Sequence, residues 1–559
     1  MAQPPRYHPG VVSRATIAAQ REGKNPNFFV PHTIEAGDAL ELGDIYDPRP
    51  SPVSWQWSID TSNMPYLSHI KSLGRGSRRL QYLADFMEVT TSPLKWEFVC
   101  DKFVRDERAE RTRICVLDFE PGIDTAQTDI SSAPQLRSFL YESQGETKPP
   151  KARLFIVEDL SRTVIESLGS HFDIDPLFFR EHISDYLWYQ VRDAWTELPD
   201  MRHVLKKRTY FNVRYLRPRF FRNEQSLVEA RQQTGLFNVL RRLEAYPSRK
   251  PIIEGQGSSV GLLRTKAALW VRPNKDDESG VVAIMLVDPT ITKGYPLWGG
   301  YNTFEQTPSM YSSIPEEPPR TSAFEDVIFW TKKMTDQDIA NISHHPALFA
   351  EQLLCLVCSE WMILLRYVST RIANVDWDLE NPDFLKDPNC IESALRRLHP
   401  WRRSVPRYLE MISETIEALS RYKESSLEQS EVFSRLLPDF FSIQAQLKTL
   451  ETQIDRLVAV ASTTVSIEET RGAFRQNRDV VRLTYLAFIF FPLTFISSIF
   501  SMSSDLSSLK TTFYIYFPIS IALTFITSIL LVGPEGIKDS LKNVLKGFQN
   551  AFSPDRKSG

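Results

Sequence analysis

The residues with the clearest chemical potential lie in an apolar segment near the C-terminal end of the chain. Six of them recur at steps of three and four residues, so a helix would place them on one stripe: Leu483, Ala487, Phe491, Thr494, Ser498 and Ser501. The later members carry hydroxyl oxygens, which suit a hydrated hard cation, whereas the earlier members are apolar. The spacing predicts one of two arrangements. The stripe is either a polar mouth above a hydrophobic constriction, or a set of hydroxyl groups that hydrogen-bond within and between membrane helices.

Two other motifs match catalytic or metal-binding signatures by their letters alone. Cys355 and Cys358 form a C-x-x-C within the apolar run LLCLVCSEWMILL, and no second pair follows, so a buried helix core is favoured over a metal or redox site. The run GSSVG at residues 257–261 fits the G-x-S-x-G nucleophile motif, but EGQ precedes it and indicates a flexible loop rather than a strand. We therefore predict no catalytic residue, no enzyme and no resident cofactor, and the sequence assigns no metal ligands.

A basic and aromatic run, RTYFNVRYLRPRFFR at residues 208–222, could contact nucleic acid or anionic lipid. A strand with one solvated cationic face is favoured instead. The formal net charge of the 559 residues is −3, so the chain has no overall basic field that would attract nucleic acid. We predict that nucleic acid is not a partner.

The predicted stripe lies within the first of two long uncharged segments. Residues 483–502 and 511–532 contain no charged side chain, and a helix of 20 residues spans about 30 Å, the hydrocarbon thickness of a bilayer. A buried helical hairpin in a soluble core is disfavoured, because core helices rarely run this long without a charge. The sequence predicts an integral membrane protein with transmembrane helices at 483–502 and 511–532, joined by an outer loop at 503–510.

The distribution of basic residues predicts the orientation of these two spans. Basic residues flank the pair, with Arg471, Arg475, Arg478 and Arg482 before it and Lys538, Lys542 and Lys546 after it. Asp505 and Lys510 are the only charged residues of the connecting loop. Because basic residues near membrane ends stay on the cytoplasmic side, we expect both termini, including the basic tail at 533–559, to be cytosolic.

The rest of the chain divides into three regions. Residues 1–90 are predicted to be mostly irregular, with one helix around 77–88. Residues 91–322 are predicted to form a cytosolic α/β domain, because β-branched or aromatic runs alternate with helical stretches. The predicted strands are at 114–119, 153–157, 210–215, 267–271 and 281–287. Residues 323–482 are predicted to be helical.

A long stalk helix is predicted to lead into the first span. No proline occurs between Pro438 and Pro492, and apolar residues alternate at steps of three and four: Leu447, Leu450, Ile454, Leu457 and Ala461. A helix over 441–502 would measure on the order of 90 Å. A helix of that length requires other helices or other subunits to pack against it.

These features together resemble the CorA family of divalent-cation channels. The run FIFFPLTFISSIF at residues 488–500 is similar to the family's first-span consensus around Pro-Leu-Thr-Phe-Ile, and residues 154–183 resemble the soluble domain of fungal members. The resemblance covers roughly residues 100–535. It implies an α/β cytosolic domain, a long stalk helix and a two-helix C-terminal transmembrane hairpin, assembled as a homopentamer.

The resemblance also implies a selectivity filter, which this sequence alters. The family ends its first span with Gly-Met-Asn, and five Asn side chains form a polar ring that holds the hydrated cation. Here the corresponding residues are Ser501, Met502 and Ser503. Ser503 still offers a hydroxyl oxygen, but its side chain is shorter than that of Asn, so the ring would be wider and weaker. Thr494 matches the family's pore threonine.

Two functions follow from this pattern. The first is a divalent metal cation channel, for Mg²⁺ above all, whose subunits surround an axial pore lined by the first membrane helix. Its partners would be further copies of the chain, the lipid bilayer and divalent cations, and Mg²⁺ bound by cytosolic carboxylates would also regulate it. The alternative is a non-conducting, membrane-anchored scaffold or sensor. The Ser501-Met502-Ser503 sequence favours the alternative, and the retained Pro-Leu-Thr-Phe at 492–495 favours the channel.

Overall fold

The computed structural model describes most of the chain between residues 59 and 523. The described residues are 59–74, 76–90, 102–144, 149–184, 200–205, 208–239, 241–247, 257–272, 280–311, 313–342, 345–381, 388–425, 431–501, 514–515, 517–519 and 521–523. The chain divides into two compact units. One comprises Met1–Trp377 with Arg397–Arg456, and the other comprises Asp378–Arg396 with Leu457–Gly559.

An eight-stranded mixed sheet forms the centre of the first unit. Its strands are β1 (Arg111–Glu120), β2 (Ile123–Ser132), β3 (Ala152–Glu158), β4 (Tyr210–Phe221), β5 (Leu243–Pro247), β6 (Ser259–Val271), β7 (Val281–Val287) and β8 (Tyr295–Pro296). The order across the sheet is β2-β1-β3-β7-β6-β4-β8, and β5 pairs with β6. The pairs are antiparallel except β3 with β7, which run parallel. Every residue of β3 and β6 is buried, as expected for central strands covered on both faces.

Short helices connect the strands of the sheet, and most of them cover one of its faces. They are α1 (Pro65–Gly74), α2 (Arg78–Val89), α3 (Lys102–Glu110), α4 (Ala133–Gln144), α5 (Arg162–Phe172), α6 (Pro176–Ile183), α7 (Arg202–Leu205) and α8 (Glu224–Thr234). The main hydrophobic core lies between this layer and the sheet, where Phe155 and Trp270 from the strands meet Leu168 and Phe178 from the helices. Alternate strand residues supply this core, because successive side chains of a strand point to opposite faces.

The other face of the sheet is covered by later helices. These helices are α9 (Ala323–Lys332), α10 (Asp336–Asn341) and α11 (Phe349–Glu380). The ring of Phe349 at the start of α11 lies 5.7 Å from that of Phe119 on β1. Among the described residues, α11 is the one helix that is long and apolar enough to cross a membrane, but 61% of its most apolar window is buried inside the protein. Its packing against the sheet is that of a core helix, and buried Cys358 lies within it as the apolar run predicted.

Two long helices complete the described chain. Helix α12 (Pro388–Ser425) continues through Pro400 and Pro406. Helix α13 (Glu431–Ser501) is the long helix that the sequence predicts, and it begins ten residues earlier than the predicted start at 441. The five residues of the predicted apolar seam, from Leu447 to Ala461, are all buried. The fold thus has an N-terminal α/β domain followed by a long helix, as the resemblance implied.

The structure adds to or corrects three interpretations of the sequence. Helix α2 corresponds to the helix predicted around 77–88 and α1 precedes it, whereas residues 1–58 of the region predicted to be mostly irregular lie outside the described part. The 257–261 motif is not a loop throughout, because β6 begins at Ser259, and no helix follows the serine as a nucleophile elbow requires. Strand β4 is confirmed, but it has no solvated cationic face, because Arg217 and Arg219 are only 6% and 5% exposed.

Candidate ion pathway

The predicted stripe lies on the C-terminal part of α13. Helix α13 is continuous from Glu431 to Ser501, including Gly472 and Pro492. Pro492 has no N–H to donate to the carbonyl of Phe488, so this turn lacks one backbone hydrogen bond.

The stripe residues that the structure describes are all exposed in the single chain. They are Leu483, Ala487, Phe491, Thr494 and Ser498. Leu483 is 67% exposed and Phe491 is 74% exposed, which is unusual for large apolar side chains. Further apolar side chains of the same segment, Phe490 and Phe495, are 57% and 55% exposed. An apolar surface of this extent is typical of a segment that is covered by lipid or by a second protein chain.

Thr494 is the polar residue of the stripe whose hydrogen bonding is described. Its hydroxyl donates to the carbonyl of Phe490 at 2.7 Å. This bond uses the hydroxyl proton, so the oxygen presents lone pairs to its surroundings. An oxygen in this state accepts a hydrogen bond from a water molecule, including a water bound to a cation. Thr484 makes the same bond to the carbonyl of Val480 at 2.7 Å, but it is not a member of the stripe.

The filter residues lie at the edge of the described chain. Ser501 is the last residue of α13, whereas Met502 and Ser503 lie outside the described residues. The predicted loop at 503–510 also lies outside them. Of the predicted second span at 511–532, the helical residues 514–515, 517–519 and 521–523 are described. Nothing in the described part therefore tests the predicted hairpin.

A buried ion cluster that the sequence analysis missed joins the sheet to α11. Arg217 on β4 donates through Nε to Glu360 Oε1 at 3.0 Å and through a terminal nitrogen to Thr290 Oγ1 at 2.9 Å. Its other terminal nitrogen lies 3.5 Å from Asp326 Oδ2 on α9. All three charged residues are less than 9% exposed. Only the fold brings them together, because charged residues at separations of more than 30 positions give no local signal.

Burial and charge pairing oppose each other in this cluster. Burial raises the pKa of Glu360 and of Asp326, and the nearby Arg217 opposes the rise in both. Burial alone would lower the pKa of Arg217, but the charges of Glu360 and Asp326 outweigh it and raise this pKa. Removing one member would leave an unpaired buried charge, so the cluster fixes α11 and α9 on the sheet.

No cluster of potential metal ligands occurs in the part of the chain that the structure describes. Among these residues, no three or more His, Cys, Asp or Glu side chains lie close enough together to hold a metal ion.

Comparison with known proteins locates a family domain on these helices. Residues 346–532 match the family model described as CorA-like Mg²⁺ transporter protein. This part of the chain is similar to the CorA-like Mg²⁺ transporter family. The match confirms the resemblance over residues 346–532.

Other comparisons add little to the family match. One solved structure, "The complete structure of CorA magnesium transporter from Methanocaldococcus jannaschii", has 10% sequence identity to this chain and a TM-score of 0.35. The match covers 75% of this chain and 96% of that chain. No curated protein matches the sequence.

The CorA-like domain contains α11, α12, α13 and both predicted spans. The exposed stripe of α13 therefore lies inside the part of the chain that matches the CorA-like Mg²⁺ transporter family model. Members of that family are ion transporters and not enzymes. The α/β domain from β1 to β8 lies N-terminal to the match.

Proposed function

We propose that this protein is a homo-oligomeric channel for divalent cations, with Mg²⁺ as the transported ion. Copies of the first membrane helix surround an axial pore, and the stripe from Leu483 to Ser501 lines it. Two predicted spans at 483–502 and 511–532 cross the bilayer, and both termini are cytosolic. The assembly is a pentamer, as the family resemblance implies.

The exposed stripe within the CorA-like domain is the observation that carries this proposal. A single hairpin cannot enclose an ion path, so several copies are needed. Leu483 and Phe491 are exposed in one chain, and in the assembly the neighbouring copies of the helix would surround them. Thr494 presents oxygen lone pairs, and a hydrated Mg²⁺ ion directs the hydrogens of its water outward. The stripe therefore offers acceptors to the hydration shell and does not require the ion to lose its water.

A flux assay on the purified protein tests the proposal. The full chain is reconstituted into liposomes that contain a fluorescent Mg²⁺ indicator, and Mg²⁺ entry is compared with that of empty vesicles. We expect entry that depends on protein and slows in Thr494→Val, which removes the hydroxyl and keeps the β-branched shape. Thr484→Val is the matched control, because Thr484 makes the same bond to its helix outside the stripe.

A second function is favoured by one specific observation. Ser501, Met502 and Ser503 replace Gly-Met-Asn, so the polar ring of the family lacks its Asn side chains. A chain of this kind could keep the fold as a membrane-anchored scaffold or sensor without conducting. Absence of Mg²⁺ entry in vesicles that contain correctly assembled oligomers would favour this function over the channel.

A further inference from the structure

An exposed loop of the α/β domain has its two ends held together. The loop runs over residues 302–319, between β8 and α9, and we name it the 302–319 loop. Arg320 donates through Nε to the carbonyl of Tyr301 at 3.1 Å. Tyr301 in turn accepts a hydrogen bond from Trp330 Nε1 at 2.9 Å. The ends are thereby anchored to α9, and a salt bridge of 2.9 Å from Lys333 to Glu305 adds a second attachment.

The middle of this loop projects its side chains into solvent. Met310 is 85% exposed, Tyr311 is 88% exposed and Ile314 is 93% exposed. Ser313 and the residues at 315–317 are exposed as well, and no regular secondary structure is assigned between 313 and 319. Enzymes that modify side chains require such a segment, because the acceptor and its neighbours must enter a cleft in an extended form.

The residues around Ser313 specify one class of modifying enzyme. The sequence continues Ser313-Ile314-Pro315-Glu316-Glu317, which places two carboxylates three and four residues after the hydroxyl. A kinase with a basic pocket at these positions would bind them through charge-assisted hydrogen bonds. The other described serine of the loop, Ser309, has no acidic residue three or four positions after it.

We propose that Ser313 is a phosphorylation site for an acid-directed serine kinase. The Ser313 Oγ attacks the γ-phosphorus of ATP, the bond from that phosphorus to the bridging oxygen breaks, and ADP leaves. The hydroxyl proton passes to the general base of the kinase. The product carries a charge of about −1.5 to −2 beside Glu316 and Glu317, so it makes this loop a strongly anionic surface. The site rests on the proposed function in one respect, namely that the α/β domain is cytosolic and meets ATP.

A kinase assay on the purified full chain tests this site separately from transport. The protein in detergent is incubated with ATP and an acid-directed serine kinase. Mass spectrometry of the intact protein gives the number of phosphoryl groups, and fragmentation of its peptides locates them. We expect one phosphoryl group on Ser313, none there in Ser313→Ala, and native extent in Ser309→Ala. Glu316→Gln combined with Glu317→Gln should slow the reaction by about tenfold or more, the equivalent of one lost charge-assisted hydrogen bond.

Three outcomes would overturn the proposal. In the first, the native chain stays unmodified while a reference peptide is fully modified. In the second, a phosphoryl group persists on the loop in Ser313→Ala. In the third, the rate of phosphorylation is unchanged in the double Gln variant. The variants lie in an exposed loop, and a circular dichroism spectrum identical to that of the native chain shows that they fold. Because the assay uses no membrane, its result is independent of whether the protein conducts Mg²⁺.

Discussion

Ser503 differs from the family's Asn in the reach of its oxygen. The Asn carbonyl oxygen lies one bond further from Cβ than the Ser hydroxyl oxygen, so a ring of serines is wider by roughly 2 Å. This widening lengthens the distances from the ring oxygens to the water around the ion, and hydrogen bonds fail beyond about 3.5 Å. Mg²⁺ gives up its water reluctantly, so a filter that binds the hydrated ion depends on such contacts. We expect weak or poorly selective Mg²⁺ conduction by the native chain, and higher uptake or sharper preference in Ser501→Gly combined with Ser503→Asn.

Competition between ions in the liposome assay measures this difference. Mg²⁺ entry is recorded with and without other divalent cations for the native chain and for the double variant. Ser501→Gly alone serves as the control, because it removes the β-carbon at the helix end without supplying the amide. Equal transport and equal preference in native and double-variant protein would show that the filter argument is wrong. Failure of both proteins to transport would favour the scaffold function.

Asp288 lies at the centre of a second buried cluster, away from the membrane. Arg241 donates to both of its carboxylate oxygens, at 2.6 and 3.0 Å, and His182 Nε2 lies 3.2 Å from Oδ1. Burial alone would raise the pKa of Asp288, but Arg241 and His182 outweigh it and lower this pKa to about 2. Burial lowers the pKa of His182, against the effect of Asp288. Both groups bind protons more readily in the unfolded chain than in the folded chain.

Acid should therefore destabilise the α/β domain in two steps. As the pH falls below 6.5, the ordinary pKa of histidine, His182 takes up a proton more readily in the unfolded chain than in the folded chain. The contribution of Asp288 is complete above 3.8, the ordinary pKa of aspartate, and is lost as the pH falls towards the folded-state pKa of about 2. Asp288→Asn should lower the free energy of unfolding by about 3–5 kcal/mol at neutral pH, because the buried charge of Arg241 loses its carboxylate partner.

Thermal unfolding of the full chain in detergent, followed by circular dichroism from pH 7 to pH 3, checks this expectation. Asp124→Asn is the control, because Asp124 is an exposed carboxylate on β2 of the same sheet. A midpoint for Asp288→Asn equal to that of the control would contradict the role assigned to the cluster. The role would also be contradicted if Asp288→Asn lost as much stability between pH 4 and pH 3 as the native chain loses.

At the scale of elements, the central strands could be predicted from the sequence and the edge strands could not. The five predicted strands correspond to β1, β3, β4, β6 and β7, whose β-branched and aromatic residues carry a local signal. Strand β2 is polar and almost entirely exposed, so its conformation comes from pairing with β1 rather than from its own residues. Helix α12 lies in the region predicted to be helical, but its extent could not be predicted, because Pro400 and Pro406, which usually end a helix, lie inside it.

Helix α1 shows how tertiary contacts decide a local structure. Glu166 on α5 accepts hydrogen bonds from the backbone N–H groups of Tyr66 and Leu67, both at 2.8 Å. These are donors at the first turn of α1, which a helix leaves without partners of its own. A carboxylate 100 positions away satisfies these donors, so the cap of α1 cannot be found in the residues next to the helix.

For the candidate ion pathway, the spacing of the residues predicted the stripe, whereas the exposure of its members required the structure.

Gly169 determines how closely α1 packs on α5. A β-carbon at this position would lie 2.4 Å from the nearest ring atom of Tyr66, closer than any real contact allows. Tyr66 cannot easily move, because its hydroxyl donates to the carbonyl of Ile174 at 2.7 Å. Gly169→Ala should therefore displace α1 and lower the free energy of unfolding by about 1–3 kcal/mol. Hydrogen exchange of the α1 amides should become faster in this variant.

Gly472→Ala provides the contrasting variant on α13. A β-carbon there would have no other heavy atom within 4 Å in the single chain. Alanine in a helix interior is more favourable than glycine by about 0.5–1 kcal/mol, so this variant should raise the thermal midpoint of unfolding. Because Gly472 lies on α13, hydrogen exchange of the α1 amides should be unchanged. Unchanged α1 exchange in Gly169→Ala would refute the close packing inferred for α1 and α5.

At the scale of the whole molecule, the exposed apolar surface of α13 supports the proposed assembly of several copies of the chain. Leu483 and Phe491 lie on the stripe, whereas Phe490 and Phe495 lie beside it, and all four are more than half exposed. Lipid can cover one side of a membrane helix, but hydroxyl groups such as that of Ser498 gain from polar neighbours on another chain. Native mass spectrometry in mild detergent should show pentamers, and a spectrum of monomers alone would refute the channel.

Cross-linking can determine whether the stripe faces the axis of that assembly. Ser498 belongs to the stripe and Ser497 does not, yet both are exposed neighbours on α13 with the same side chain. Two cysteines form a disulfide only where their Cα atoms approach within about 7 Å, which an axial position shared by all subunits allows. Mild oxidation should therefore produce disulfide-linked dimers from Ser498→Cys and far fewer from Ser497→Cys. The native chain gives the baseline, because Cys115 and Cys358 are buried and any cross-links formed by the half-buried Cys355 and Cys390 are subtracted. Equal cross-linking of the two variants would mean that the stripe does not line a common pore, whatever the number of subunits.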